Sequence, residues 1–130
     1  MSEPTVDRLI ESARAVHDFA YAPYSKFRVG AAVLTDTGKV FVGCNVENAS
    51  YGATLCAERS ALANMIANGE RRAVAVAIFV DAAEPAMPCG ICRQWLAELG
   101  PDALVISATP NATKRSTMHE LLPDPFVFRP

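Results

Sequence analysis

The sequence lacks any long apolar run, any strong excess of one charge and any biased composition. No stretch is long enough to cross a bilayer as a helix. Met1, Ser2, Glu3 and Pro4 form a polar, acidic start, with neither the basic segment nor the apolar segment of a secretory leader, so no membrane contact and a cytoplasmic location are expected. In that setting Asn48-Ala49-Ser50 and Asn111-Ala112-Thr113 carry no meaning as glycosylation sites. A net charge of −2 gives no broad basic surface, which argues against a nucleic-acid partner. Repeats, linkers and low-complexity segments are missing as well. What remains is a chain of 130 residues, 51% apolar and 20% charged, which fits one globular domain over residues 1–130 with a core of its own.

The elements alternate. Val6, Leu9, Ile10, Ala13, Val16 and Ala20 recur at helical spacing, which predicts a helix over 5–20 with Thr5 as its cap. Pro23 and Ser25 mark a turn. A strand is expected over Phe27 to Leu34, a tight turn at Asp36-Thr37-Gly38, and a hairpin partner over Lys39 to Cys44. A polar loop, Asn45 to Ala53, leads to a second helix capped by Thr54, running to about Asn68 and stopped by Gly69. Ala73 to Val80 and Ala103 to Ser107 read as buried strands on either side of a third helix, 89–99, which Gly100 closes. Residues 113–116 form a short fifth strand, and Thr117-Met118-His119-Glu120 is a capping box opening a last helix. The fold class that follows is α/β, a three-layer sandwich whose mixed five-stranded sheet carries helices on both faces.

Four cysteines, Cys44, Cys56, Cys89 and Cys92, sit in a domain with no need of disulfide staples, so metal binding or catalysis is the expected use. Cys89 and Cys92, three apart at a helix start, turn both sulfurs to one side. Cys56, at the start of another helix, supplies a third thiolate. Three protein ligands leave one tetrahedral position open, as catalytic zinc requires. Glu58 follows Cys56 by two residues and is placed to take a proton from water and return it to a leaving amine. Positions i and i+2 do not share a helix face, so this works only if Cys56 stands at the very start of its helix. Arg59 would donate to the cysteine sulfurs and offset the charge of three thiolates. Two other uses of the cysteines stay open. One is a structural zinc with Cys44 as fourth ligand, His17 and His119 being badly placed. The other is a redox Cys-x-x-Cys pair, which leaves Cys56 and Glu58 without a task.

The chain resembles the cytidine deaminase family in its small form with an all-cysteine zinc site. The resemblance runs through Tyr24-Ser25-Lys26-Phe27-Arg28-Val29-Gly30-Ala31-Ala32, Gly43-Cys44-Asn45-Val46-Glu47-Asn48-Ala49-Ser50-Tyr51-Gly52 and Thr54-Leu55-Cys56-Ala57-Glu58-Arg59. It continues through Pro88-Cys89-Gly90-Ile91-Cys92-Arg93-Gln94 to Leu121-Leu122-Pro123 and Phe126. It implies one zinc ion per subunit on Cys56, Cys89 and Cys92, with Glu58 as proton shuttle. Asn45 and Glu47 would bind the ribose hydroxyls, Phe27 would stack on the pyrimidine, and the Ala57 backbone would hold the base edge. Ala49, Tyr51 and Phe126 would complete the pocket, some of them from neighbouring subunits of a homotetramer with shared active sites. Phe126 and Phe128 alternate near the end, and either fits the role of pocket phenylalanine. The implied reaction is hydrolytic deamination of cytidine and deoxycytidine to uridine and deoxyuridine with release of ammonia, a step of pyrimidine salvage. Deamination of another substrate and a non-catalytic zinc module are the rival readings.

Overall fold

The computed structural model describes all 130 residues. Five strands, β1 (Val29–Thr35), β2 (Val40–Cys44), β3 (Ala73–Val80), β4 (Leu104–Ala108) and β5 (Thr113–Thr117), form one sheet in the order β2-β1-β3-β4-β5. Only β3 and β4 pair in parallel; the other three pairings are antiparallel. The helices are α1 (Glu3–His17), α2 (Ala57–Ala67), α3 (Gly90–Leu99) and α4 (Met118–Leu121).

Alternation along the central strands divides the interior into two cores. Ala31 and Val33 of β1, Val76 and Ile78 of β3, and Val105 of β4 pack with Ala61, Leu62 and Met65 of α2 and Leu96 of α3. The intervening residues Ala32, Leu34, Ala75, Ala77, Phe79 and Ile106 face Val6, Leu9 and Ala13 of α1. Burial on both faces explains why β1 and β3 read as continuous apolar runs rather than alternating ones. The expected mixed five-stranded sheet with helices on both faces is what forms. No helix is long and apolar enough to cross a membrane. At one edge of the sheet, β5 places Lys114 and Arg115 in succession, and Arg115 is tied to Glu3 at the start of α1 by bonds of 2.8 and 2.7 Å.

Several boundaries differ from the sequence expectations. The first helix starts at Glu3, because Ser2 rather than Thr5 is its cap: the Ser2 hydroxyl accepts from the Thr5 amide at 3.2 Å. It ends at His17, since the amides of Phe19 and Ala20 turn to the carbonyls of Val16 and His17, three residues back, yet Ala20 still reaches the interior. Phe27 lies outside the first strand. Its amide donates to Ser25 Oγ and its carbonyl accepts from Asn45 Nδ2, so side chains take the place of ladder partners. Thr54 does not cap the second helix. Its hydroxyl accepts from the Asn48 amide, and Cys56 is the residue at the helix start. The loop from Asn45 also contains one 3₁₀ turn, Tyr51–Ala53.

Gly43 fixes how closely α2 lies on β2. A Cβ there would stand 2.3 Å from the Ala61 amide nitrogen, a backbone atom that has no room to yield. Gly43→Ala is therefore expected to push α2 off the sheet and destabilise the protein by about 1–3 kcal/mol, read as a lowered urea midpoint.

Candidate active site

Both metal-ligand helices begin at the same end of the sheet. A helix feeding β3, and another joining β3 to the parallel β4, each run antiparallel to those strands, so their N-termini meet beyond the C-terminal ends of β3 and β4. Cys56 is the residue before α2 and Cys89 the residue before α3; neither side chain caps its own helix. Cys92 follows in the first turn of α3 and is fully buried. The three sulfurs lie within 4.8 Å of one another, and the Cys56 and Cys89 sulfurs are 3.8 Å apart. A tetrahedral ion with metal–sulfur bonds of about 2.3 Å requires sulfurs about 3.8 Å apart, so the donor set fits zinc. Cys44, half-buried at the end of β2, His17 and His119 do not join the cluster. This removes the fourth ligand on which a closed structural site depends.

The cluster is electrostatically prepared for a cation. The neighbouring Cys92 thiol, followed by Arg59 and Cys89, lowers the Cys56 pKa to about 5. The Cys92 thiol is pushed up by its bond to Cys56 and by burial, so in the bare protein it keeps its proton. Arg59 Nη2 donates to Cys56 Sγ at 3.3 Å and to the Thr54 carbonyl at 3.3 Å, while its buried Nε has no partner. Helix N-termini add positive potential at Cys56 and Cys89.

Glu58 stands in the first turn of α2 and is 5% exposed, although it is charged in most settings. Burial raises its pKa to about 7, with the nearby Cys56 charge acting in the same direction. With Cys56 at the helix start, Glu58 reaches the same cleft as the sulfurs. That cleft, of about 260 Å³, is lined by Cys56, Ala57, Glu58 and Cys89 together with Phe27, Asn45 and Glu47. Asn45 Oδ1 accepts from the Val29 amide at 2.9 Å, and its Nδ2 donates to the Phe27 carbonyl at 2.8 Å.

The other residues singled out in the sequence lie elsewhere. Tyr51, 77% exposed, packs edge-on against Tyr24 across an adjoining recess that shares Ser25, Glu47 and Thr54 with the cleft. Ala49 is exposed and lines neither space. Phe126 is on the surface beside Ala97 and Glu98, held by Gln94 Nε2 through its carbonyl. One copy of the chain therefore brings neither Ala49 nor Phe126 to its own cleft. Sequence reasoning assigned no role to Ser25, Val29, Ile78, Ala86 and Met87, which also line it. For Ala86 and Met87 the available signal was their position just before Pro88-Cys89. Two side chains hold that segment: Ser107 Oγ donates to the Ala86 carbonyl at 2.6 Å, and Arg93 bridges the carbonyls of Pro88 and Leu121 at 2.7 and 3.0 Å.

Three thiols converging on one ion position, with a buried carboxyl of raised pKa beside them in a small cleft, define a zinc-site hydrolase rather than a redox pair. Residues 4–108 match the cytidine and deoxycytidylate deaminase zinc-binding region. The chain is 45% identical over 121 residues to a cytidine deaminase of Halalkalibacterium halodurans, covering 92% of each chain. It is 39% identical over 127 residues to a probable cytidine deaminase of Dictyostelium discoideum, covering 97% of this chain and 86% of the other. Its fold is similar to the crystal structure of cytidine deaminase from Burkholderia pseudomallei, with a TM-score of 0.89, 46% identity, and coverage of 97% of this chain and all of that one. The chain belongs to the cytidine deaminase family.

Proposed function

We propose that the protein hydrolyses the 4-amino group of cytidine and deoxycytidine, giving uridine or deoxyuridine and ammonia, as a step of pyrimidine salvage. The observation that carries this reading is the placement of Glu58 beside the three-thiol cluster, in a cleft that Asn45 and Glu47 also line. A zinc ion on Cys56, Cys89 and Cys92 would supply the Lewis acidity that makes water a nucleophile at neutral pH. The Glu58 carboxylate takes a proton from the attacking water and delivers it to N3 of the pyrimidine as oxygen adds at C4. It then passes the second proton of that water to the 4-amino nitrogen, the C4–N4 bond breaks, and ammonia departs. A pKa of about 7 suits a group that must both accept and donate a proton. Phe27 offers a ring face to the base, and the Ala57 backbone holds the base edge. Asn45 and Glu47 bind the sugar hydroxyls, and Arg59 spreads the negative charge of the sulfurs.

Ala49, Tyr51 and Phe126 act in this reading at the clefts of neighbouring copies in a homotetramer. The exposure of Tyr51, Phe126 and Phe128, each above 70%, supports such an assembly. The purified protein is expected to convert cytidine to uridine with one ammonia released per turnover, followed by ultraviolet absorbance and ammonia assay, and to run as a tetramer in light scattering. Zinc-replete protein inert towards cytidine would overturn the substrate assignment; a monomer with full activity would overturn the shared sites.

A further inference from the structure

Glu47 is buried, yet no side-chain cation meets its carboxylate. Its partners all come from one short turn. Oε1 accepts from the amides of Tyr24 and Ser25 at 3.0 and 3.1 Å, and Oε2 accepts from the Ser25 hydroxyl. The same hydroxyl oxygen accepts from the Phe27 amide at 3.0 Å. The turn is closed by the Lys26 amide, which donates to the Ala22 carbonyl at 3.0 Å, and Lys26 is the one non-glycine residue with positive φ, at 61°. The Glu47 backbone is anchored independently, its amide donating to the Tyr21 carbonyl at 2.8 Å. Ser25, Phe27 and Glu47 all line the cleft.

We propose that Ser25 is a positioning residue for sugar recognition: its hydroxyl, oriented by the Phe27 amide, aims the Glu47 carboxylate at the sugar hydroxyls. The inference rests on the proposed nucleoside reaction. Three of the roughly four acceptor directions of the carboxylate are taken by the turn, so the remaining one is aimed by Ser25. The same bonds hold the Glu47 carboxyl below the usual carboxylate range, and the Ser25 hydroxyl is the largest contributor. Ser25 itself is exposed, so its bonds organise the cleft rather than the core.

The test is Ser25→Ala on the zinc-loaded protein, assayed with cytidine and with 2′,3′-dideoxycytidine, which lacks the hydroxyls that Asn45 and Glu47 would hold. KM for cytidine is expected to rise about tenfold, the size of one lost charge-assisted hydrogen bond, with kcat within about threefold of wild type. On the dideoxy substrate, kcat/KM of the variant is expected within about threefold of wild type. Ser25→Thr, which keeps the hydroxyl, is expected to restore the cytidine KM. An equal loss on both substrates, an unchanged cytidine KM, or an unfolded Ser25→Ala protein each overturns the positioning role while leaving the deaminase reading intact. A wild-type protein inert on cytidine overturns both.

Discussion

Glu58→Gln is expected to retain zinc and the fold and to lose about 10²–10⁴ in the rate of uridine formation. The substitution keeps size and shape in a side chain that is 5% exposed, so it opens no cavity. Gln reproduces the bulk and polarity of the protonated carboxyl, the form that burial favours at this site. What Gln does not do is carry a proton from water to base and then to the leaving amine. Turnover by absorbance and zinc by mass spectrometry on the same sample decide the matter. Full activity removes Glu58 from proton transfer. Loss of zinc along with activity would instead make it a support for the metal site.

Cys92→Ala is expected to abolish both zinc retention and turnover, whereas Cys44→Ala keeps both. Cys92 is wholly buried, and in the bare protein its thiol is forced to stay protonated against the Cys56 charge. An ion removes that conflict, because it accepts both sulfurs as thiolates. Without Cys92 only two of the three converging sulfurs remain. Cys44 sits at the end of β2, paired with Gly30, and outside the cluster. Chelation of the wild-type protein should accordingly end activity without unfolding it, since neither apolar core includes one of the three sulfurs. Zinc content and circular dichroism measured together check this; unfolding on chelation would mean that the metal is structural.

The elements legible in the sequence are those whose signals are local. β3 was expected over Ala73 to Val80 and occupies those residues, because burial on both faces leaves an uninterrupted apolar run. The capping box at Thr117 and Glu120 forms through the side chains that spell it. The metal cluster was legible because three cysteines fall at two predicted helix starts. The start of α2 was misread because Thr54 has the chemistry of a cap, while Cys56 occupies that position without a capping bond and leaves its sulfur to the cluster. Phe27 was misread as strand because its partners, Ser25 and Asn45, act through side chains. Ser25 and Met87 became visible in the cleft only once the turn at 22–26 and the segment before Pro88 had been folded against it.

The edge strand β5 has a bearing on solubility. Consecutive residues of a strand point to opposite faces, so Lys114 leaves an unpaired cation on one side of this edge, while Arg115 on the other side is paired with Glu3. A second copy adding its own β5 there in antiparallel fashion would bring like charges together along the new seam. The edge thus resists growth of the sheet from chain to chain, the route by which unpaired strands lead to aggregates.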